Sequence, residues 1–398
     1  MSTPSVLPQD ESVPPLPAGI SPAPLAPAPA GRRRSLPRLL FVFCAVLAGV
    51  LGGTRALPLD PDDFLLFALG MFLGMNLQVL ATLLYGRLSG LATVWLSVGV
   101  GRWLGSTVRG GRLVTFRSLP LILVNACMVV VARPGLRRRM WCGAVLTVLT
   151  ELLVAALLVA AGGPVAYLGW GVAVLAVLTS TVRPGRATTQ AWRLFRLPFG
   201  QEEQRLAEWL HDPASLAAAR AAAAGRVDLL RAALDGAEPS DAPRRQAMTA
   251  VLALAEGRCA DAARTAAALR ERSQAPTLRT GALQLYACAI ADGIAAGHWR
   301  AEEAMPTFSA ALAALRAEAP AAAVRGTDLA AMEALFAGRA GQAERLAAQA
   351  ASVAPDVLSR ARALLTQSAA HTVAGHPALA PAPLARAQAL SPTLRVRR

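Results

Sequence analysis

The stretch FLLFALGMFLGMNLQVLATLLY, from Phe64 to Tyr85, contains 22 residues and no charged side chain. A helix of about 20 apolar residues is long enough to span the hydrocarbon core of a bilayer. The composition of the whole chain agrees, because 54% of its 398 residues are hydrophobic, 16% are charged, and its mean hydropathy is +0.42. The sequence therefore predicts a membrane protein, with enough chain for two or three domains.

Three further spans are predicted on either side of this stretch. Leu39–Thr54 is apolar and follows the basic group at Gly31–Arg34, and Met140–Val182 is apolar apart from one acid. The letters AGGP at Ala161–Pro164 divide the longer run into two spans, since Gly-Gly-Pro ends a helix. A cleaved signal peptide is the alternative for Leu39–Thr54. The long leading tail and the absence of a small-x-small motif favour an uncleaved anchor.

Two other apolar segments are too short or too irregular to be spans. Ser118–Ala132 has only 15 residues, and Arg residues flank it on both sides. Because Arg marks the cytoplasmic ends of membrane helices, we predict that this segment is re-entrant or packed against other helices. Leu91–Trp103 alternates and is rich in Val, Trp and Gly, which predicts a short β-hairpin or an extended loop beside the membrane.

The chain carries a net charge of +15, and the distribution of its Arg residues along the sequence indicates what this charge is for. Residues 31–200 hold 18 Arg and only four acidic residues, whereas residues 201–398 are nearly balanced. Excess Arg around apolar segments is typical of the cytoplasmic loops of a membrane protein, so we predict no nucleic-acid partner. The five cysteines show no C-x-x-C spacing, which argues against a disulfide framework and a zinc knuckle.

The two ends of the chain differ in composition from its apolar half. Residues 1–35 are rich in Pro, Ala and Ser, which predicts a disordered, partly extended tail. The C-terminal half is Ala-rich, and a Gly with a basic or His residue after it recurs at Gly225, Gly257, Gly297 and Gly338. Separations of 32, 40 and 41 residues predict repeated helix pairs joined by a Gly turn. The later units resemble degenerate tetratricopeptide repeats, and an ordinary Ala-rich helical bundle is the alternative.

These features together predict an all-α fold. It is a polytopic helical membrane protein with about four spans and a re-entrant segment, followed by a cytoplasmic α-helical repeat domain. The predicted parts are the tail at 1–35, the membrane domain at 36–200 and the repeat domain at 201–398. Four spans leave both termini in the cytoplasm, and the predicted location is the plasma membrane. The expected partners are the lipid bilayer and a protein bound through the repeats.

The segment Gly74–Gly86 resembles the zinc helix of the site-2-protease-like intramembrane metalloproteases. In that family the helix carries H-E-x-x-H, with a Gly eight positions after the second His. Aligned on Gly86, the two His positions fall on Gly74 and Gln78, and the position of the catalytic Glu falls on Met75.

Later landmarks of the same family follow in its order. They are a segment ending in Gly-x-Gly, a Pro-containing connector at Phe116–Leu121, and a helix start at Cys142–Thr147. The family supplies its third zinc ligand, an Asp, ahead of a Trp-containing helix, and this position falls at about Ala187, before Trp192. The resemblance covers roughly residues 39–200 and implies the fold of a membrane peptidase.

The residues that zinc proteolysis needs are absent from these positions. The mechanism uses two His one helical turn apart and a Glu that deprotonates the attacking water. All four histidines lie in the C-terminal half: His211, His298, His371 and His376. We predict that each is a surface or repeat-turn residue, and that no carboxylate lies near His371 and His376. The membrane half also lacks the base of a serine protease and the paired Asp of an aspartyl protease. The sequence therefore predicts no catalytic residue, no metal and no cofactor.

Glu151 is the only carboxylate within the predicted spans. An ionisable group inside a membrane helix is costly and points to a function. Glu151 is a candidate proton site, a partner for an Arg, or a polar contact to Asn76 or Gln78. The alternative is a neutral side chain that bonds a neighbour in the helix.

Three functions remain open on the sequence alone. The first is a catalytically inactive, site-2-protease-like membrane protein that acts as a scaffold or regulator through its helical repeats. The second is an active membrane metallopeptidase with an unusual site. The third is a membrane-tethered repeat adaptor unrelated to peptidases, in which Phe64–Tyr85 need not pack against the Val165–Val182 span.

Overall fold

The computed structural model describes residues 12–20, 61–181, 190–197, 203–238, 240–319 and 324–394. Most of these residues are helical, in agreement with the predicted fold class. The described part also contains a three-stranded sheet, which an all-α fold does not include.

Three apolar helices are described in the predicted membrane domain, which is called the membrane half below. Helix α1 (Pro61–Tyr85), helix α2 (Leu136–Ala161) and helix α3 (Val165–Thr181) follow one another in the fold, with a long β-hairpin between α1 and α2. Two of them, α1 and α2, are long and apolar enough to cross a membrane, and α3 is shorter. The predicted span at Leu39–Thr54 lies outside the described residues.

Helix α1 packs closely against α3, and glycine makes the contact possible. A Cβ atom added to Gly70 would overlap the carbonyl oxygen of Leu168, and one added to Gly171 would overlap that of Phe67. Small residues let membrane helices approach until their backbones touch, which is how such helices associate without a hydrophobic driving force. The two stretches Phe64–Tyr85 and Val165–Val182 are therefore neighbours over their described residues.

A long β-hairpin contains the apolar segment that was predicted to be re-entrant or packed against other helices. Strand β1 (Leu91–Arg109) pairs antiparallel with strand β2 (Arg112–Val131) across a two-residue turn at Gly110 and Gly111, with several bulges along the pair. Residues 118–131 of the run that was predicted to be re-entrant or packed against other helices form the second half of β2, and entry of this run into a membrane stays a prediction. Its backbone polar groups are paired with β1, so it needs no helix, and its β-branched residues suit a strand. Leu91–Trp103 is extended, as predicted.

The C-terminal half contains a series of antiparallel helices. In the described residues they are α4 (Glu203–Trp209), α5 (Pro213–Ala223), α6 (Val227–Asp235), α7 (Pro243–Ala255), α8 (Cys259–Arg272), α9 (Pro276–Ala295), α10 (Ala301–Glu318), α11 (Leu329–Phe336), α12 (Ala340–Val353), α13 (Val357–Val373) and α14 (Pro381–Leu390). Each predicted turn glycine joins two of these helices and has a positive φ, the conformation that ends a helix and that Gly adopts without strain. The predicted helix–Gly turn–helix units are therefore present. Gly375, which was not among the predicted turn glycines, also has a positive φ and lies in the turn before α14.

An apolar junction joins the two halves. Strand β3 (Leu210–His211) pairs in parallel with the end of β2. Beside it, Trp192 and Trp209 pack edge to face with their ring centroids 5.0 Å apart. One buried cluster includes these rings together with Met140 of α2 and residues of α7, α8 and α9. The boundary near residue 200 is therefore a packed junction, and the repeats lie directly against the hairpin and the start of α2.

Candidate functional site

A buried polar cluster lies where the chain returns to α1 after the third helix. The segment Gln190–Leu197 begins with the end of a helix and continues as a π-helical turn, Trp192–Arg196. There the amide nitrogen of Gln78 on α1 donates a hydrogen bond to the side-chain oxygen of Gln190. Gln190 is only 3% exposed, so this contact between two amides is closed to solvent.

Glu151 completes the cluster from α2. Its side chain is 2% exposed, and the amide of Gln190 and the guanidinium of Arg193 both face its carboxyl group. Among the described residues, neither carboxyl oxygen of Glu151 completes a hydrogen bond of normal geometry, and neither does Nε2 of Gln190 or Nε of Arg193. An acceptor and two donors therefore face each other with unused hydrogen-bonding capacity. Such a site can hold a proton, a water molecule or a small polar group.

A polar contact ties α1 to α2 about two turns beyond Gln78 along α1. The hydroxyl groups of Tyr85 and Thr150 lie 2.9 Å apart. Thr82 donates to the carbonyl oxygen of Gln78 at 2.7 Å, within α1. At about 1.5 Å of rise per residue, Gln78 lies about 10 Å from the end of α1 that adjoins the hairpin. The cluster therefore belongs to the hairpin side of the helix bundle.

The residues at the predicted ligand positions have different surroundings. Gly74 packs on α3, where an added Cβ would lie 3.1 Å from a methyl group of Leu175. Met75 is partly exposed and lines a cavity, and Asn76 is buried and donates to the carbonyl oxygen of Phe72 at 2.8 Å. Only Gln78 takes part directly in the amide contact of the cluster. Ala187 lies outside the described residues.

Gln190 and Arg193 were not among the predicted site residues. Both belong to the segment after α3 that the family resemblance associates with the third zinc ligand, close to its anchor Trp192. The residue that reaches α1 there is Gln190, three positions after Ala187. The sequence signal for Gln190 was its amide side chain two residues before Trp192. This signal indicates a site residue only when the segment is known to lie beside α1.

A cavity of about 740 Å³ opens next to this cluster. Met75 and Val79 of α1 form one wall, β1 and β2 form a second, and residues of the repeats form a third. Its lining residues are Met75, Val79, Trp95, Ser97, Gly99, Val100, Gly101, Arg117, Asn125, Arg325, Gln349, Val353 and Pro355. This is the place in the described structure where the membrane half, the hairpin and the repeats meet around open space.

The charge of the cavity is positive. Arg117 and Arg325 line it, and none of the lining residues is acidic. Arg117 is held in place by hydrogen bonds to the carbonyl oxygens of Ser352 at 3.1 Å and Ala354 at 2.9 Å, so it also fastens the hairpin to the repeats. Partial burial lowers the pKa of this guanidinium, which remains charged at neutral pH. A ligand of the cavity is therefore expected to carry an anionic group.

The residues that could hold a metal ion lie elsewhere. Among the described residues, donor atoms of Glu344, His371 and His376 lie within 4.8 Å of one another, and Nδ1 of His371 is 3.6 Å from a carboxyl oxygen of Glu344. Two His and one carboxylate are ligands that zinc accepts. The prediction of no carboxylate near these histidines is wrong, because the pairing of α12 with α13 brings Glu344 beside them. This group belongs to the repeats and is separate from the membrane cluster.

Two of the histidines that were predicted to be surface or repeat-turn residues are buried. His371 is packed within the repeats, and His211 lies in β3 at the junction. Burial, together with the neighbouring charge of Arg244, lowers the pKa of His211 to about 4. His211 is therefore neutral at pH 7, and its role is structural. His298 and His376 are exposed, as predicted.

Comparisons with protein-family models, with curated proteins and with solved structures give no match to this chain.

The cluster predicts that Glu151 and Arg193 stabilise the fold jointly. Glu151→Gln and Arg193→Gln should each lower the free energy of unfolding, because each leaves the other charge buried without its partner. The double variant should lose less than the two losses combined, with a coupling of about 0.5–3 kcal/mol. Unfolding in a detergent titration followed by Trp fluorescence measures this. Arg133→Gln, an exposed Arg outside the cluster, is the control and should be additive with Glu151→Gln. If the losses in the free energy of unfolding from Glu151→Gln and Arg193→Gln are also additive, the two residues are not a pair.

Proposed function

We propose that this chain is a membrane-embedded, non-catalytic scaffold or regulator with the arrangement of a site-2-protease-like protein. One observation carries the proposal. Gln78, at the position of the second zinc-binding His, is bonded to an amide of the segment that would supply the third ligand. One position that would bind zinc is therefore joined, by a neutral hydrogen bond, to a residue three positions after the predicted third ligand.

The packing of α1 supports this arrangement. An unrelated tethered adaptor gives no reason for α1 and α3 to pack closely. A site-2-protease-like fold requires these two helices to pack and the chain after α3 to return to α1. Gly70, Gly171 and the bond from Gln78 to Gln190 are in keeping with both requirements.

The side chains of the cluster argue against zinc chemistry. Zinc sites are built from His, Cys and carboxylate, and the cluster contributes one carboxylate, two amides and a guanidinium. A guanidinium carries a fixed positive charge, which opposes a dication at the same place. The cluster is therefore suited to stabilising helix contacts or to holding a polar group.

The cavity beside the cluster supplies the proposed binding site. Its walls come from both halves of the chain, so an occupant touches α1 and the repeats at once. Its two Arg side chains favour a partner segment that carries an acidic group. A membrane-anchored protein can present such a segment at this depth, since the cavity adjoins the hairpin side of the helix bundle.

The contact between the N-terminal tail and the repeats supports a fourth span. Tyr286 in α9 donates to carbonyl oxygens of Pro14 and Pro15, so these parts of the chain lie on one side of the membrane. The helices α1, α2 and α3 would cross three times between them, and a chain that starts and ends on one side crosses an even number of times. The predicted span at Leu39–Thr54 would supply the remaining crossing. Flanking Arg residues favour the cytoplasm as the shared side.

The first test of this proposal is metal content. The purified chain carrying His371→Ala, which disrupts the separate histidine group, should retain no stoichiometric metal by mass spectrometry. The substitution matters, because a metal bound by Glu344, His371 and His376 would otherwise be mistaken for one in the membrane half. One tightly bound zinc ion per chain in this variant would contradict the proposal and favour an active metallopeptidase.

The second test is capture of the partner from the cavity. A photoreactive amino acid at Met75 or at Val353 should cross-link the same protein in cells, because these residues line the cavity from the two halves of the chain. Arg325→Glu should weaken both products. Leu84, which is 72% exposed on α1 and does not line the cavity, is the matched control position. Equal capture from Leu84, or no shared product from the two cavity positions, would refute a partner site here.

The four-span arrangement predicts which positions are accessible from each side. With the native cysteines replaced, Pro164→Cys should react with an impermeant maleimide added outside the cell. Ser12→Cys and Gln342→Cys should react only after the membrane is permeabilised. All three side chains are exposed in the structure, so the difference reports the side of the membrane. Labelling of Ser12→Cys and Gln342→Cys from opposite sides would contradict the arrangement.

A further inference from the structure

The segment Ser12–Ile20, SVPPLPAGI, lies against the repeats although it belongs to the tail predicted to be disordered. Pro14 and Pro17 are buried. Val13, Leu16 and Ile20 pack on the largest apolar cluster of the repeat half. The prediction of disorder does not hold for these nine residues, because they cover apolar surface that the repeats provide and that a free tail lacks.

The burial of this segment has a period of three. Ser12, Pro15 and Ala18 are exposed, Val13 and Leu16 are half-buried, and Pro14 and Pro17 are buried. A polyproline II helix has three residues per turn, so one of its edges faces solvent and the other two face the repeats. Ala18 and Gly19 then form a turn, closed by a hydrogen bond of 3.3 Å from the backbone nitrogen of Ile20 to the carbonyl oxygen of Pro17. Gly19 has a φ of 82°, as the third position of a type II turn requires.

Polar contacts hold the backbone of the segment at both ends. The hydroxyl of Tyr286 donates to the carbonyl oxygens of Pro14 at 2.8 Å and Pro15 at 3.0 Å. Glu271 at the end of α8 accepts a hydrogen bond from the backbone nitrogen of Ala18 at 3.2 Å. Tyr286 is fully buried, and burial raises its pKa, so its hydroxyl remains a donor. Carbonyl oxygens of a polyproline helix have no partner within the helix, and an aromatic hydroxyl is a common way to bind them.

From these contacts we infer that the groove formed by α8 and α9 is a recognition site for proline-rich peptides, occupied in cis by Ser12–Ile20. A partner with a similar proline-rich segment gains access to the groove by displacing the tail. A preformed polyproline helix binds with little loss of conformational entropy, which suits it to such a shallow site. The tail is tethered to the repeats through the membrane half, so its effective concentration at the groove is high. The inference extends the proposed function by naming the class of partner that the repeats recruit.

The test uses the full chain in nanodiscs and a fluorescent peptide with the sequence of residues 12–20. Pro17→Asp introduces a charge on the buried edge of the tail and should release it from the groove. This variant should bind the peptide at least about tenfold more tightly than the native chain, because a tail that is docked nine-tenths of the time raises the apparent Kd tenfold. Pro15→Asp places the same charge on the exposed edge and should behave like the native chain.

A second variant identifies the groove itself. Tyr286→Phe in the Pro17→Asp background keeps the buried ring and removes the donor, so peptide affinity should fall by about twofold to tenfold. Failure of the Pro17→Asp chain to bind the peptide would overturn the recognition site. Equal binding to the native and Pro17→Asp chains would overturn its occupation by the tail. Neither outcome depends on the membrane cavity, so a failed cross-link from Met75 and a failed peptide titration refute different statements.

Discussion

The close approach of α1 and α3 determines where everything else in the membrane half can lie. In the proposed membrane setting, lipid would offer the two helices no hydrophobic gain on association, so backbone contact would supply the attraction. Gly70 and Gly171 allow that contact, and any side chain at these positions would separate the helices. Because α3 lies against α1, the chain that follows it returns beside Gln78, and Gln190 and Arg193 meet Glu151 there.

The low dielectric inside the helix bundle makes it costly to bury the polar groups of this cluster. A buried acceptor without a complete hydrogen bond costs about 1–3 kcal/mol, and a charged one costs more. Glu151, Gln190 and Arg193 carry that cost together, close to where the proposed site-2-protease-like arrangement would put a metal. The bond between Gln78 and Gln190 closes this place with uncharged groups. A cluster of this kind favours a fixed helix arrangement, in keeping with a scaffold, over the open coordination position that catalysis requires.

The hairpin couples the membrane half to the repeats. Arg117 on β2 donates to Ser352 and Ala354, and Arg220 on α5 donates to the carbonyl oxygen of Thr93 on β1 at 3.1 Å. The guanidinium of Arg360 lies over the ring of Trp103 at 4.7 Å. Arg117 also lines the cavity, so an occupant that displaces this side chain would disturb the contact between the hairpin and the repeats.

The sequence predicted the features that depend on local pattern and missed those that depend on distant partners. Long apolar runs identify α1 and α2, and the recurring Gly identifies the turns of the repeats, because both signals are contained in one segment. The second half of β2 was predicted to be re-entrant or packed against helices, because its apolar letters do not show that it pairs with β1. Gln190 could not be identified as the partner of Gln78, because 112 residues separate them and only the packing of α3 brings them together.

The tail shows the same dependence on a distant partner, with a consequence for function. Its composition is that of a disordered segment, and Ser12–Ile20 acquires a defined structure only through Tyr286, Glu271 and the apolar surface of the repeats. That surface is available either to the tail or to a proline-rich partner, but not to both at once. Release of the tail would expose the apolar surface that it covers on the repeats. It would also break the hydrogen bonds that hold Ser12–Ile20 to Tyr286 and Glu271. Recruitment through the repeats and the state of the tail are therefore one equilibrium.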